Sequence, residues 1–213
     1  MHPNSLLIFD LDGTLVDSLP GVVLGLNAAL ADFALKPINL DWVHRNVGLG
    51  ARRLVTAAAG DGVSVDELLA RFRVRYREVL LDNSPPFPGV DETLRRLSQN
   101  HVLAVASNKP LAWVVDLVDH FGWTELMAAV VGPESVGAYK PDPKMLEYIL
   151  RETGHSTKDT LFVGDMPVDA ETGINAGIPV IGVTTGAASR EDLLQAGCIA
   201  VLESVVDLVG WVG

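Results

Sequence analysis

Short apolar runs recur along the chain, and most of them are separated by stretches with helical spacing. The runs are rich in Val, Ile and Leu, which is typical of strands buried on both faces of a parallel sheet. They comprise residues 6–9, 102–106, 128–131, 161–163 and 180–183. The helical stretches between the later runs comprise residues 111–121, 143–153 and 168–176. This alternation predicts an α/β fold built on a doubly wound, Rossmann-like parallel sheet.

One interval, between Val16 and Pro88, breaks the alternation. Its apolar residues repeat every three or four positions over residues 22–33 and again over residues 65–81, and it contains no convincing strand. Turn and cap residues border it on both sides. We therefore expect a small all-helical cap, residues 17–87, inserted after the first strand of a catalytic core that comprises residues 1–16 and 88–213.

The composition restricts the classes of partner. Sixteen basic residues against 27 acidic ones give a net charge of -11, which repels nucleic acid and anionic membrane surfaces. No run approaches the roughly 18 apolar residues of a membrane span, and the N-terminus lacks the features of a signal peptide. The single cysteine, Cys198, cannot form an internal disulfide. We expect a cytoplasmic protein without a nucleic-acid or membrane partner.

Polar side chains follow the predicted strands at the sheet edge where ligands bind in open parallel sheets. These residues are Asp10, Asp12, Ser107, Lys140, Asp165 and Asp169. Each Asp taken alone is more typical of a helix cap or a turn, so it is their joint occurrence that indicates a site. Four carboxylates in one crevice would repel one another unless a cation joined them. Oxygen ligands without a Cys or paired His favour a hard ion such as Mg²⁺.

Four segments together resemble the motifs of the haloacid dehalogenase-like superfamily of hydrolases. They are Asp10-Leu-Asp12-Gly-Thr14, Ser107, Lys140 and Gly164-Asp165-x-x-x-Asp169. The resemblance covers nearly the whole chain, because residues 16–88 lie where this superfamily inserts a helical cap. The first motif with the Leu-Val-Asp-Ser that follows it is similar to the phosphoglycolate phosphatase-like branch. Dehalogenases proper lack the second acid of that motif, so Asp12 favours phosphatase chemistry.

The resemblance implies a Mg²⁺-dependent phosphatase that hydrolyses a small phosphorylated metabolite, 2-phosphoglycolate or a similar phosphomonoester, through an aspartyl-phosphate intermediate. Asp10 would attack phosphorus, and Asp12 would act as the acid and then the base. Ser107 would donate to a phosphate oxygen, and Lys140 would balance the negative charge. The expected metal ligands are Asp10, Asp12 through its main-chain carbonyl, Asp165, and Asp169 either directly or through water.

Four further residues are candidates for binding the substrate. Thr14 and Asn108 belong to the core motifs, and the hydroxyl of Thr14 is expected to orient its loop. Arg45 and Arg52 flank a glycine-containing loop of the predicted cap and are candidates for a substrate carboxylate. The alternative for both arginines is a solvated surface position.

Two other functions stay open at this level. One is a sugar phosphomutase of similar architecture, in which the phosphoenzyme returns its phosphoryl group to a sugar instead of water. The other is a non-catalytic regulator that binds a phosphorylated metabolite, although no motif acid is missing. The sequence is compatible with a monomer or a homodimer.

Overall fold

A six-stranded, all-parallel sheet forms the centre of the protein. The computed structural model describes residues 4–60 and 62–212. The strands are β1 (Leu6–Phe9), β2 (Val102–Ala106), β3 (Met127–Val131), β4 (Thr160–Gly164), β5 (Val180–Val183) and β6 (Ala200–Leu202). Their order in the sheet is β3-β2-β1-β4-β5-β6. Because the order reverses between β1 and β4, the crevice for ligands lies at the carboxyl ends of these two strands.

Alternate residues of the central strands enter two separate hydrophobic cores. In β1, Leu7 and Phe9 pack on one face of the sheet, whereas Leu6 and Ile8 pack on the other. All four side chains have no exposed surface. A strand buried on both faces has no polar position along its length. The first carboxylates therefore occur only where β1 ends.

Eleven α-helices occur among the described residues. They are α1 (Leu19–Ala31), α2 (Leu40–Asn46), α3 (Ala51–Ala58), α4 (Val65–Val79), α5 (Val90–Leu97), α6 (Leu111–His120), α7 (Pro133–Val136), α8 (Lys144–Thr153), α9 (Pro167–Ala176), α10 (Arg190–Gln195) and α11 (Leu208–Val212). Helix α8 ends at Gly154 and α9 at Gly177, both in the left-handed conformation that stops a helix without a Cβ clash. No helix in this part of the chain is long and apolar enough to cross a bilayer.

Helices α1 to α4 form the insertion after β1. Two chain segments join it to the sheet and are hydrogen-bonded to each other. The amide of Asp17 donates to the carbonyl of Pro85 at 2.8 Å, and the amide of Phe87 donates to the carbonyl of Leu15 at 3.0 Å. The predicted fold class, a doubly wound sheet with a helical insertion after the first strand, is confirmed.

The pattern analysis missed one edge strand and several helices. Strand β6 is three residues long, too short to stand out as an apolar run. Helix α5 alternates charged and apolar residues over only eight positions. The last helix, α11, packs on the core through Leu208 and Val212, which are buried. The predicted strand 128–131 begins one residue earlier, and 161–163 extends by one residue at each end.

Candidate active site

The end of β1 places Asp10 in the crevice between β1 and β4. Its amide donates to the carbonyl of Val163 in β4 at 2.8 Å, which continues the sheet pairing up to the first acid. Its Oδ1 atom accepts a hydrogen bond from the amide of Leu11 at 2.7 Å. Asp10 is only 8% exposed. The backbone therefore fixes this carboxylate at the mouth of the sheet.

Lys140 joins two of the acids. Its Nζ atom lies 3.0 Å from Oδ1 of Asp10 and 2.6 Å from Oδ1 of Asp169. Burial opposes the charged ammonium, but the carboxylates of Asp10 and Asp169 raise the pKa of Lys140 above its ordinary value. Asn108 holds the lysine's backbone from both sides: its Oδ1 accepts from the amide of Lys140 at 2.7 Å, and its Nδ2 donates to the carbonyl at 3.2 Å. Lys140 is thus a fixed, buried cation.

Asp165 follows β4 and is enclosed by the loops after β1 and β5. The hydroxyl of Thr14 donates to its Oδ1 at 3.1 Å, and the amide of Ala187 donates to its Oδ2 at 3.3 Å. A Cβ atom at Gly13 or at Gly186 would overlap the Asp165 carboxylate. Both loops therefore approach this carboxylate more closely than any side chain would allow.

Three carboxylates of this site could hold a metal ion. Oxygen atoms of Asp10, Asp165 and Asp169 lie within 4.8 Å of one another. With Lys140 in contact with two of them, the cluster has two negative charges in excess when all the acids are ionised. An all-oxygen donor set with this charge suits a hard divalent cation. The residues present therefore fit a metal such as Mg²⁺.

Burial and mutual repulsion oppose ionisation of these acids. Burial raises the pKa of Asp10 to about 6, against the opposing charge of Lys140 and with support from Asp169 and Asp12. Burial also raises the pKa of Asp165 well above its ordinary value, and the charges of Asp169 and Asp10 add to the rise. A divalent cation would reverse this effect by stabilising the ionised forms.

The carboxylate of Asp12 lies outside this three-acid cluster and forms an ion pair with Lys109. Lys109 Nζ lies 2.9 Å from Oδ1 of Asp12, and it also donates to the hydroxyl oxygen of Tyr76 in α4 at 2.8 Å. Burial opposes the charge of Lys109, but Asp12 and Tyr76 raise its pKa above the ordinary value. Sequence reasoning missed Lys109. The available signal was a basic residue two positions after Ser107, at the end of β2.

One cavity, between the insertion and the sheet, connects these groups. Asp10, Asp12, Ser107 and Asp165 line its floor, together with Lys109. Its upper walls are largely apolar and come from α1, α3, α4 and α6: Leu19, Val22, Leu54, Phe72 and Trp113. The structure thus brings polar groups from the ends of β1, β2 and β4 together beneath an apolar roof.

The four candidate substrate residues are placed differently. Thr14 is fully buried and contacts Asp165, and Asn108 lines the cavity and donates to the carbonyl of Gly48 at 3.0 Å, which links the core to the insertion. Arg45 and Arg52 are exposed and do not line the cavity. Arg52 instead pairs with Asp66 at 2.7 Å. The structure therefore does not bring the two arginines together with the core motifs.

Comparisons with known proteins agree with this arrangement. A family model described as haloacid dehalogenase-like hydrolase matches residues 7–183. A phosphoglycolate phosphatase of Rhodospirillum rubrum is 36% identical over 218 residues, covering 97% of this chain and 90% of the relative. One from Pasteurella multocida is 38% identical over 197 residues, covering 87% and 88%.

The fold is also shared with solved structures. A protein of Haemophilus somnus 129PT, described as a predicted phosphoglycolate phosphatase, superposes with a TM-score of 0.91 at 31% identity, over 100% of both chains. These comparisons confirm the resemblance that the motifs indicated and show that the protein is an enzyme. The chain belongs to the haloacid dehalogenase-like hydrolase family, in the branch that contains its phosphoglycolate phosphatases.

Proposed function

We propose that this enzyme is a Mg²⁺-dependent phosphatase that hydrolyses a small phosphomonoester through an aspartyl-phosphate on Asp10. The observation that carries the proposal is the cluster of Asp10, Asp165, Asp169 and Lys140 at the ends of β1 and β4. Asp10 and Asp165 of this cluster also line the cavity, together with Asp12 and Ser107. Relatives that share 36–38% of their residues with this chain are phosphoglycolate phosphatases. We therefore take 2-phosphoglycolate as the first candidate substrate.

Asp10 is the nucleophile in this proposal. Among the described residues, both of its hydrogen-bond donors, Leu11 and Lys140, contact Oδ1. Oδ2 is therefore the oxygen that attacks phosphorus, while Oδ1 stays anchored. Attack forms the bond from Oδ2 to phosphorus and breaks the bond from phosphorus to the ester oxygen, which divides one difficult hydrolysis into two easier steps.

Asp12 is the acid and the base. For this role it has to carry a proton when the substrate binds; it gives that proton to the departing ester oxygen, and in the second step it regains one from the water that attacks the phosphorus of the aspartyl-phosphate. That second attack releases inorganic phosphate and restores the Asp10 carboxylate. The two acids are two residues apart on one loop, and both line the cavity.

The remaining core residues stabilise charge. Lys140 and the hydroxyl of Ser107 bind negative oxygens of the phosphoryl group as it is transferred. We assign Asp10, the main-chain carbonyl of Asp12, and Asp165 as the metal ligands. Lys140 and the amide of Met166 already bind the two carboxylate oxygens of Asp169. Asp169 therefore contacts the metal either directly, with an oxygen shared between partners, or through water. When bound, Mg²⁺ would neutralise phosphate charge next to Asp10.

We further propose that residues 17–87 act as a cap on a core of residues 1–16 and 88–213. The apolar walls that α1, α3 and α4 contribute to the cavity would exclude water while the phosphoryl group is transferred. The paired segments around Leu15 and Pro85 are the two connections on which such a cap would move.

Phosphate release from a panel of small phosphomonoesters, including 2-phosphoglycolate, tests the function. We expect release by the wild type to need Mg²⁺, and Asp10→Asn to reduce it on the order of 10³-fold or more because the nucleophile is lost. Asp82→Asn is the matched control, since Asp82 is exposed outside the cavity. Circular dichroism should be the same for all three proteins.

Two results would contradict the proposal. Substantial phosphate release by a folded Asp10→Asn variant would show that Asp10 is not the nucleophile. Transfer of phosphate between sugar positions that depends on a bisphosphate activator, with little free phosphate, would indicate a mutase instead.

A further inference from the structure

Lys109 is a buried cation for which the proposed chemistry has no role. Its side chain is 4% exposed, and its Nζ lies within 3.2 Å of both oxygens of Asp12. Lys140 is already bound to Asp10 and Asp169, so Lys109 is a second ammonium in the same site. Burying an ammonium is strongly unfavourable unless other groups compensate for its lost hydration, so the burial of Lys109 indicates a function.

Lys109 lies on the side of the cavity where the leaving group of the substrate would be. Asp12, which would protonate the ester oxygen, is its direct neighbour. On its other side is the hydroxyl of Tyr76 on α4, 2.8 Å from Nζ. The ammonium therefore lies between the ester oxygen's acid and the helical insertion, where the part of the substrate beyond the phosphoryl group has to fit.

The rest of that space is apolar or uncharged. Leu19, Leu54, Phe72 and Trp113 form its walls. Among the residues that the structure describes, Lys109 is the one Lys, Arg or His side chain that lines the cavity. A negative group on the leaving part of the substrate would have no other cation to pair with there, and an unpaired charge in an apolar cavity is strongly unfavourable.

We propose that Lys109 is a specificity-determining residue, which binds a carboxylate or similar anionic group carried close to the ester oxygen of the substrate. The inference rests on the proposed phosphatase function and adds the chemical class of the leaving group. Lysine is suited to this position because its compact ammonium can contact Asp12, Tyr76 and a ligand oxygen at once. The arginines of the insertion, which lie outside the cavity, have no part in it.

Two substrates that differ only in the anionic group provide the test. In 2-phosphoglycolate a carboxylate occupies the position that a methyl group occupies in ethyl phosphate. We expect Lys109→Met to lower kcat/KM for 2-phosphoglycolate on the order of 10- to 100-fold more than for ethyl phosphate. Lys144→Met is the matched control, because Lys144 is half exposed on α8 and, within residues 4–60 and 62–212, forms its ion pair with Asp142; it should leave both values unchanged.

An equal loss for both substrates would overturn the proposal, because it would show that Lys109 serves only Asp12. No loss for either would overturn it as well. Titration calorimetry of 2-phosphoglycolate with Asp10→Asn, and with the double variant that also carries Lys109→Met, tests the anion site without turnover. It therefore separates failure of this proposal from failure of the proposed phosphatase function. Weaker binding in the double variant supports the anion site even if no turnover is found. Equal binding refutes it.

Discussion

At the scale of single residues, two glycines without side chains shape the proposed metal site as much as the acids do. Gly13 and Gly186 lie on opposite loops, and neither leaves room for a Cβ beside Asp165. The carboxylate is therefore held between two backbones, with Thr14 and the amide of Ala187 fixing its oxygens. Partners of this kind, which orient a ligand without touching the metal, influence metal affinity strongly.

Gly186→Ala is expected to displace Asp165 and to weaken Mg²⁺ binding by about 10- to 100-fold. The added Cβ would overlap Oδ2 of Asp165. Titration calorimetry with Mg²⁺ and the Mg²⁺ concentration for half-maximal phosphate release measure the effect. Gly210→Ala is the control, because a Cβ at Gly210 in α11 meets nothing within 4 Å. Wild-type Mg²⁺ affinity in Gly186→Ala would mean that Asp165 is not a ligand.

The acids of the site could be predicted from the sequence because each one follows its own strand, and parallel strands end at the same edge. The contact between Lys109 and Tyr76 could not, because it joins α4 to the end of β2 across 33 positions of the chain. Arg52 is one of the two arginines for which a solvated surface position was the alternative. Its charge indicated a ligand, but at the surface it pairs with Asp66 at 2.7 Å.

At the scale of elements, the insertion is held together by the close crossing of α1 and α4. Gly25 of α1 is buried there, and a Cβ on it would lie 2.7 Å from the Cα of Tyr76. The same crossing positions the Tyr76 side chain, which stacks on Phe72 and meets Trp113 edge-on over the cavity. The packing of these two helices therefore sets the roof of the site.

Gly25→Ala is expected to destabilise the protein, although alanine favours a helix by about 1 kcal/mol over glycine. The new methyl group meets a backbone atom that cannot rotate away, and such overpacking costs about 1–3 kcal/mol. Thermal melting should show a lower Tm. Leu24→Ala, at a neighbouring position that is 49% exposed, is the control and should change Tm little. A Tm at or above that of the wild type would mean that α1 and α4 move apart to accommodate the methyl group without loss of stability.

The elements that could be predicted are those with a strong and uniform pattern. The fully apolar runs of β1, β2 and β5 were found with their observed bounds, because burial on both faces leaves no polar residue inside them. Strand β6 and helix α5 were missed because they are short: β6 lies at the edge of the sheet, and α5 is held by the packing of Val90, Leu94 and Leu97 in the core. Long-range contacts rather than local pattern determine such elements.

At the scale of the whole molecule, two different electrostatic effects act on the fold. The chain has a net charge of -11, which is spread over the surface and is screened by any salt. The cluster of Asp10, Asp165 and Asp169 is a local and buried excess of negative charge, which salt reaches poorly. A divalent cation that binds the folded state would relieve the second effect specifically and would stabilise the protein by mass action.

Mg²⁺ is therefore expected to raise Tm far more than sodium chloride of equal ionic strength. At a concentration of 100 times its Kd, a ligand adds about 2.7 kcal/mol, which corresponds to roughly 5–10 °C for a domain of this size. Asp165→Asn should lose most of this shift, whereas the exposed Asp82→Asn should keep it. Sodium chloride that reproduced the whole shift would show that the cation acts by screening the net charge. A full Mg²⁺ response in Asp165→Asn would place the stabilising ion elsewhere. If Asp82→Asn keeps the Tm shift, Asp165→Asn loses it and sodium chloride has only a small effect, the stabilising ion binds at the carboxyl ends of β1 and β4.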